Sequence, residues 1–417
     1  MRRSFLFEPL SESERMTCVN LFPVSEGDRI HHLDVIRGFA LLGIVLVNMP
    51  SFLHPMLFLP ADALPIQHTR ADEWLRLLFN MFIQTKFYTI FSVLFGAGFY
   101  LFMHRAEQKG LPIKRLFARR LWVLLGFGML HLIFLWYGDI LHTYAIAGCI
   151  LLWFYYKSRK IVHAWAWSLL IFYQGLMTLL LLLPPDPASK QMEGKTGLVE
   201  MALQIYNEGS WSQWMGFRLA YEIPYVISNE FFAVFTVLPL FLLGFSLARQ
   251  GLFHRTADFL PAIRRVWWMS LFVSLPLVAM IPLLQEGVVV LPSSVDTGVL
   301  VFVGWSGLTL CVFYIASLML LCADEPWRKR LMPLAFVGRM ALSNYVLQTI
   351  VFTGMMRLFH IYGTVSMLTG VIICLILFVF QIIGSRWWLA RYTYGPLEWV
   401  WRCLTYGTRI PLQRNQS

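Results

Sequence analysis

The chain has 417 residues, of which 58% are hydrophobic and 14% charged, and its mean hydropathy is +0.62. No soluble globular domain has that balance. Apolar runs of about 20 residues, the length that crosses a hydrocarbon core, recur along the chain. The expected fold is all-α, a polytopic integral membrane bundle. The runs are continuous rather than alternating, which excludes a transmembrane barrel. A net charge of +11 would point to nucleic acid in a soluble protein. Here it follows from the positive-inside bias, and nucleic acid is excluded as a partner. The six cysteines form no Cys-x-x-Cys pair, so neither a disulfide framework nor a metal site is expected.

Residues 1–30 are polar and mixed in charge and read as a cytoplasmic tail without a signal-peptide core. About ten spans follow, at roughly 33–53, 78–103, 117–137, 140–156, 161–183, 225–248, 266–285, 298–322, 332–358 and 364–388. With both termini cytoplasmic, only Arg70, Arg76, Lys190, Lys195, Arg218 and Arg357 fall in outside segments. Arg37, Lys86 and Arg339 fall within spans, and the rest of the 34 lysines and arginines lie inside. The transmembrane domain thus covers 31–390. An outside loop at about 184–224 opens with Leu-Pro-Pro-Asp-Pro. It carries Trp211, Trp214 and Phe217 at a spacing that predicts an interfacial helix. Residues 391–417 form a cytoplasmic interfacial segment. No span shows the paired Gly/Pro interruption of broken transporter helices.

An ionisable group inside a membrane needs a partner or a wet cavity. Such groups stand at two depths. On the inner side are Asp34, Arg37, Arg119, Arg120, Arg249 and Arg339, with Asp34 and Arg37 spaced to pair along one helix. On the outer side are Asn48, Lys86, His131, Asp139 and Glu230, which would share a cavity if their helices face one another. Arg37 and Asn48 lie roughly 16 Å apart along the first span. The surplus of inner arginine suits a phosphorylated ligand. Each group also has a structural reading: a headgroup anchor for Asp34 and Arg37, a helix cap for Asp139, a plain ion pair for Lys86 with Glu230, and solvated loop residues for His54 and His68. Gly96 and Gly98 read as close helix packing.

Five blocks carry a resemblance. They are Leu33-Asp34-x-x-Arg37-Gly38 running on to Asn48; Lys86-Phe87 with Phe91-Ser92-x-Leu94-Phe95-Gly96-Ala97-Gly98; Gly126 and His131 with Gly138-Asp139-Ile140-Leu141-x-x-Tyr144; Gly338-Arg339-Met340-Ala341-Leu342-x-Asn344-Tyr345-x-Leu347-Gln348; and Gly395-Pro396-Leu397-Glu398-Trp399-x-Trp401-Arg402. In this order they resemble the YeiB family of bacterial inner-membrane proteins, a domain of unknown function. The Arg37-to-Asn48 spacing is also distantly similar to two kinds of transmembrane acyltransferase. Acyltransferase family 3 has a histidine at the Asn48 position, and the heparan-alpha-glucosaminide N-acetyltransferase group has an asparagine there. The latter uses a histidine eleven residues further on, where this chain has Leu59, so His131 is the substitute candidate.

The resemblance implies a transmembrane acyltransferase that moves an acyl group from cytoplasmic acyl-CoA, a co-substrate rather than a bound cofactor, to an acceptor on the outer side. In that reading His131 is the general base, Asp139 orients it and Asn48 holds the acyl oxygen. Asp34, Arg37, Lys86, Glu230, Arg339, Asn344 and Gln348 contact substrate. The alternatives are a transporter or exporter of a small anionic metabolite, and a non-catalytic scaffold. The expected partners are the lipid bilayer, a small-molecule, lipid or glycan acceptor, and a second copy of the chain.

Overall fold

The computed structural model describes residues 30–59, 68–184 and 193–413. The expected N-terminal tail, apart from Ile30, lies outside them. Among the described residues there is no strand, only an isolated bridge between Tyr392 and Gln413.

In chain order the helices are α1 (His31–Leu53), α2 (Arg70–Phe82), α3 (Lys86–Gln108), α4 (Ile113–Phe134), α5 (Leu141–Phe154), α6 (Arg159–Leu179), α7 (Glu193–Glu208) and α8 (Trp211–Phe217). A short π-helical turn, Arg218–Glu222, joins α8 to α9 (Ile223–Arg249). Then come α10 (Thr256–Gln285), α11 (Val295–Ala323), α12 (Glu325–Arg339), α13 (Ala341–Phe359), α14 (Met367–Arg391) and α15 (Pro396–Tyr406). Serine side chains cap the starts of α6, α8, α11 and α14, accepting from the backbone N–H three residues on. Among the described residues, 8 segments can cross a membrane by length and composition, and the pair α12–α13 makes 9. The remaining expected span is α5, apolar but only 14 residues long. The fold is a multi-pass helical membrane bundle.

Two spans are interrupted. The second begins at Arg70, earlier than the sequence pattern placed it, and breaks at Ile83–Thr85, where Thr85 takes a left-handed φ of 70°. The span expected over 332–358 bends by 74° between α12 and α13. Arg339, Ser343 and Asn344 flank Met340 within an otherwise apolar run, so the sequence pattern reads one helix there. The freed backbone groups are satisfied by side chains, as membrane burial demands. Asn344 donates to Val337 O (3.2 Å) at the end of α12. Glu398 accepts from the N–H of Leu342 (2.7 Å) and Ser343 (3.1 Å) at the start of α13. Two sequence blocks far apart in the chain thus build one joint.

Helix α1 sits at the centre, packed by α3, α11, α12, α13 and α14. Its closest crossing is with α12. A Cβ on Gly38 would lie 2.0 Å from Leu334 O, and one on Gly338 would lie 1.9 Å from Asp34 O. Gly96 and Gly244 do the same where α3 crosses α9. Small residues let backbones touch, which is how helices associate without a hydrophobic driving force. The outer faces of α6 and α10 carry exposed Trp167, Phe172 and Phe272, surface that lipid covers. In α8 the aromatic stripe splits. Trp211 is exposed, while Trp214 and Phe217 turn inward onto Tyr206 and Tyr362.

Candidate functional site

Helices α1, α3, α4, α5, α13 and α15, with Gly338 and Arg339 from the end of α12, enclose a cavity of about 380 Å³, a volume suited to one small amphiphilic ligand. At one end, called here the basic end, Arg37, Arg105, Arg120, Arg339 and Arg402 line it, against two carboxylates, Asp34 and Glu398. Both acids are engaged. Asp34 Oδ1 is 3.1 Å from Arg37 Nη1, and Glu398 holds the start of α13, where it also accepts from Ser343 Oγ (2.5 Å). Burial pushes the Glu398 carboxyl above the ordinary carboxylate range, and the Ser343 and Leu342 donors oppose that rise. The indole of Trp401 lies 3.7 Å from the Arg120 guanidinium, so α15 roofs the basic end by stacking on a cation. Deeper in, the walls are apolar: Ile44, Leu94, Phe95, Phe99, Leu121 and Leu124. The inner end is formed by Ile140, Tyr144 and Tyr345.

Behind that inner wall lies a second feature. His131, in the last turn of α4, stacks on the Tyr345 ring at 5.1 Å between centroids. Its Nδ1 is 3.0 Å from Asp139 Oδ1, and its Nε2 is 2.9 Å from Thr349 Oγ1. Asp139 Oδ2 accepts from the backbone N–H of His142 at 2.9 Å and lies 2.7 Å from His142 Nδ1. His142 Nε2 in turn is 2.9 Å from Glu230 Oε2, which also accepts from Thr143 Oγ1 at 3.1 Å. Two imidazoles and two carboxylates therefore alternate in one line from α13 to α9. His131, Asp139 and His142 are buried; the Glu230 side chain is 17% exposed. Arg120 and His131 are eleven residues apart on α4, so the two features are separated by roughly 16 Å along that axis.

Of the residues singled out in the sequence, Asp34, Arg37, Arg120 and Arg339 line the cavity, and His131, Asp139 and Glu230 belong to the line behind it. The others lie elsewhere. Lys86 is fully buried but faces α11 and the α2 end, donating to Asn80 O (2.8 Å) and Ser306 Oγ (3.0 Å); Glu230 is not its partner. The shared outer cavity that would have joined it to His131 is replaced by direct contacts among the acids and imidazoles. Asn344 and Gln348 are tied to Ser385 and Gln381 on α14, where they brace the bent joint. Asn48 is half-buried and forms none of these contacts. His54, read as solvated, is 2% exposed and bonded to Val365 O at 2.9 Å.

His142, Thr349, Glu398, Arg105 and Arg402 were not expected in the site. His142 had a signal, since it follows Asp139 at the helical spacing of three. The others depend on tertiary contacts between distant segments.

Fold and site define a multi-pass helical membrane protein with an arginine-mouthed internal cavity and a buried acid–imidazole line beside it. Residues 247–408 match the family described as "Protein of unknown function (DUF418)". Over 412 residues the chain is 31% identical to "Uncharacterized protein YxaH" of Bacillus subtilis (strain 168), covering 95% of this chain and 98% of that protein. It is 32% identical over 391 residues to "Uncharacterized 39.9 kDa protein in amylase 3'region" of Bacillus acidopullulyticus, covering 94% and 97% of the two. It is 26% identical over 407 residues to "Uncharacterized protein YeiB" of Escherichia coli (strain K12), covering 89% and 95%. The chain belongs to this family of bacterial proteins. The matched segment 247–408 holds the bent joint and Glu398, while the residues from His131 to Glu230 precede it.

Proposed function

We propose that the protein is a bacterial inner-membrane acyltransferase that takes an acyl group from acyl-CoA at its cytoplasmic, basic end and passes it to an acceptor from the opposite side. The observation that carries this reading is the cavity itself: five guanidinium groups against two engaged carboxylates, leading into an apolar throat that ends on the wall shared with His131. Guanidinium forks suit the phosphates of such a donor, and the apolar throat suits its acyl arm. His131 is the general base. Asp139 faces its Nδ1, which leaves Nε2, now on Thr349 Oγ1, as the nitrogen that an acceptor hydroxyl or amine reaches. Tyr345 stands between the acyl end and that nitrogen and must turn for the two to meet.

The test is release of free CoA from acetyl-CoA and longer acyl-CoAs by the purified protein in liposomes supplied with membrane lipid and glycan extracts. His131→Asn is expected to lower the rate by about 10²- to 10⁴-fold. No CoA release with any donor, from protein shown to be folded, contradicts the proposal.

A second reading, export of a small anionic metabolite, draws on the 74° bend between α12 and α13, since broken helices form the binding sites of many transporters. Counterflow of an anionic solute in the same liposomes, without CoA release, would favour it.

A further inference from the structure

The line of side chains behind the cavity extends past His131, and its far half has no part in positioning that residue. We propose that Asp139, His142 and Glu230 form a proton path that carries a proton from His131 to the end of the molecule opposite the arginines, with Glu230 as its port. Contacts of 3.0, 2.7 and 2.9 Å join the four titratable groups. The second and third are hydrogen bonds, whereas His131 Nδ1 and Asp139 Oδ1 approach to 3.0 Å without hydrogen-bond alignment, so the imidazole or the carboxyl group must turn before that proton passes. Every member but one is closed off. His131 and Asp139 have side-chain exposures of 2% and 0%, and His142 has 4%, whereas Glu230 has 17%. Glu230 also sits on the same turn of α9 as the exposed Ser228 and Asn229. Its Oε1 is buried without a hydrogen-bond partner, as is Asp139 Oδ1, so the port opens along the partly exposed Glu230 side chain when its carboxyl group turns.

Among the described residues, the other polar neighbours of the line are largely bonded away from it. On α13 the line meets the Thr349 hydroxyl and Tyr345, whose phenol reaches Gly138 O at 3.4 Å. Tyr144 on α5 turns to Ser92 on α3. Arg218 is committed to Glu222 and to Leu132 O and Ile133 O at the end of α4. Lys86 faces α11.

The bookkeeping closes. His131 gains a proton at Nε2 and gives its Nδ1 proton to Asp139 Oδ1. Asp139 turns its carboxyl group and protonates His142 Nδ1, and His142 gives its Nε2 proton to Glu230 Oε2. Each imidazole gains one proton and loses one. Under the acyl-transfer reading, on which the proton's source rests, the acceptor heteroatom bonds to the acyl carbon as the C–S bond breaks. The acceptor's proton leaves through Glu230, and the CoA thiolate takes one from the medium at the arginine end. Each turnover then moves one proton across the protein.

The test needs no acyl-CoA, so its failure is separate from failure of the transfer reading. Full-length protein in lipid nanodiscs is subjected to a pH jump between about pH 5 and 8, and the imidazole bands of isotope-labelled histidine are followed by time-resolved infrared spectroscopy. His131→Asn and His142→Asn assign the bands. Glu230→Gln is expected to slow the His131 response by about a hundredfold, and Glu230→Asp, which keeps a carboxyl group, to restore most of the rate. An unchanged rate in folded Glu230→Gln overturns the proposal. So does a Glu230→Asp protein that responds as slowly as Glu230→Gln, because a carboxyl group at that position is what the path requires.

Discussion

The two ends of the site solve opposite problems. At the basic end, cations gather around space: five arginines and two occupied carboxylates, around about 380 Å³. Behind Tyr345, titratable groups pack directly on one another: two imidazoles and two carboxylates in contact, with Thr143 and Thr349 completing the line. Clustered arginines beside room for a ligand point to an anionic ligand. Titratable groups at contact distance point to a proton. Each is costly inside a membrane unless it is used or paired, and the difference tells which.

The comparison can be broken first where it is most rigid. Arg218→Met leaves Glu222 buried without its cation and the end of α4 without donors. It should cost about 3–5 kcal/mol of stability, read by unfolding in mixed micelles, and it should disturb His131 because α4 ends there. Gly338→Val drives a side chain into the α1 backbone at the Asp34 carbonyl. An overpacking cost of about 1–3 kcal/mol is expected, together with weaker ligand binding, since that crossing holds Asp34, Arg37 and Arg339 in register. Arg37→Ala should lower acyl-CoA affinity by about 10- to 100-fold, the loss of one charge-assisted contact, and leave stability nearly unchanged. Trp401→Ala removes the stack on Arg120 and should weaken binding by about fivefold, equivalent to roughly 1 kcal/mol. If Trp401→Ala proves more damaging than Arg37→Ala, α15 rather than the arginine ring governs the cavity.

How far the sequence disclosed this follows from what each signal depends on. The helical bundle was legible because its cause, long apolar runs, is local. The pairing of Asp34 with Arg37 was legible for the same reason, and Asp139 beside His131 followed from depth. What stayed hidden was set by contacts across the fold. Glu398 reads as an interfacial acid until it is seen on the start of α13. Lys86 and Glu230 share a depth but not a face. The bend at Met340 leaves no trace in hydropathy because Asn344 and Glu398 satisfy the backbone groups it exposes. Asn344 and Gln348 look like ligand contacts in a span of otherwise apolar residues, and their work is to hold that bend.

The most direct measurement is thermal stabilisation of the purified protein by acetyl-CoA, longer acyl-CoAs and free CoA, with Arg37→Ala and Arg339→Ala alongside. The expected result is saturable stabilisation, worth about 2.7 kcal/mol at a hundred times the dissociation constant, that Arg37→Ala cuts to roughly 0.4–1.4 kcal/mol at the same concentrations and that Arg339→Ala also lowers. Absence of any shift in folded wild-type protein, or a shift of undiminished size in both variants, would contradict the assignment of the cavity to an acyl-CoA donor.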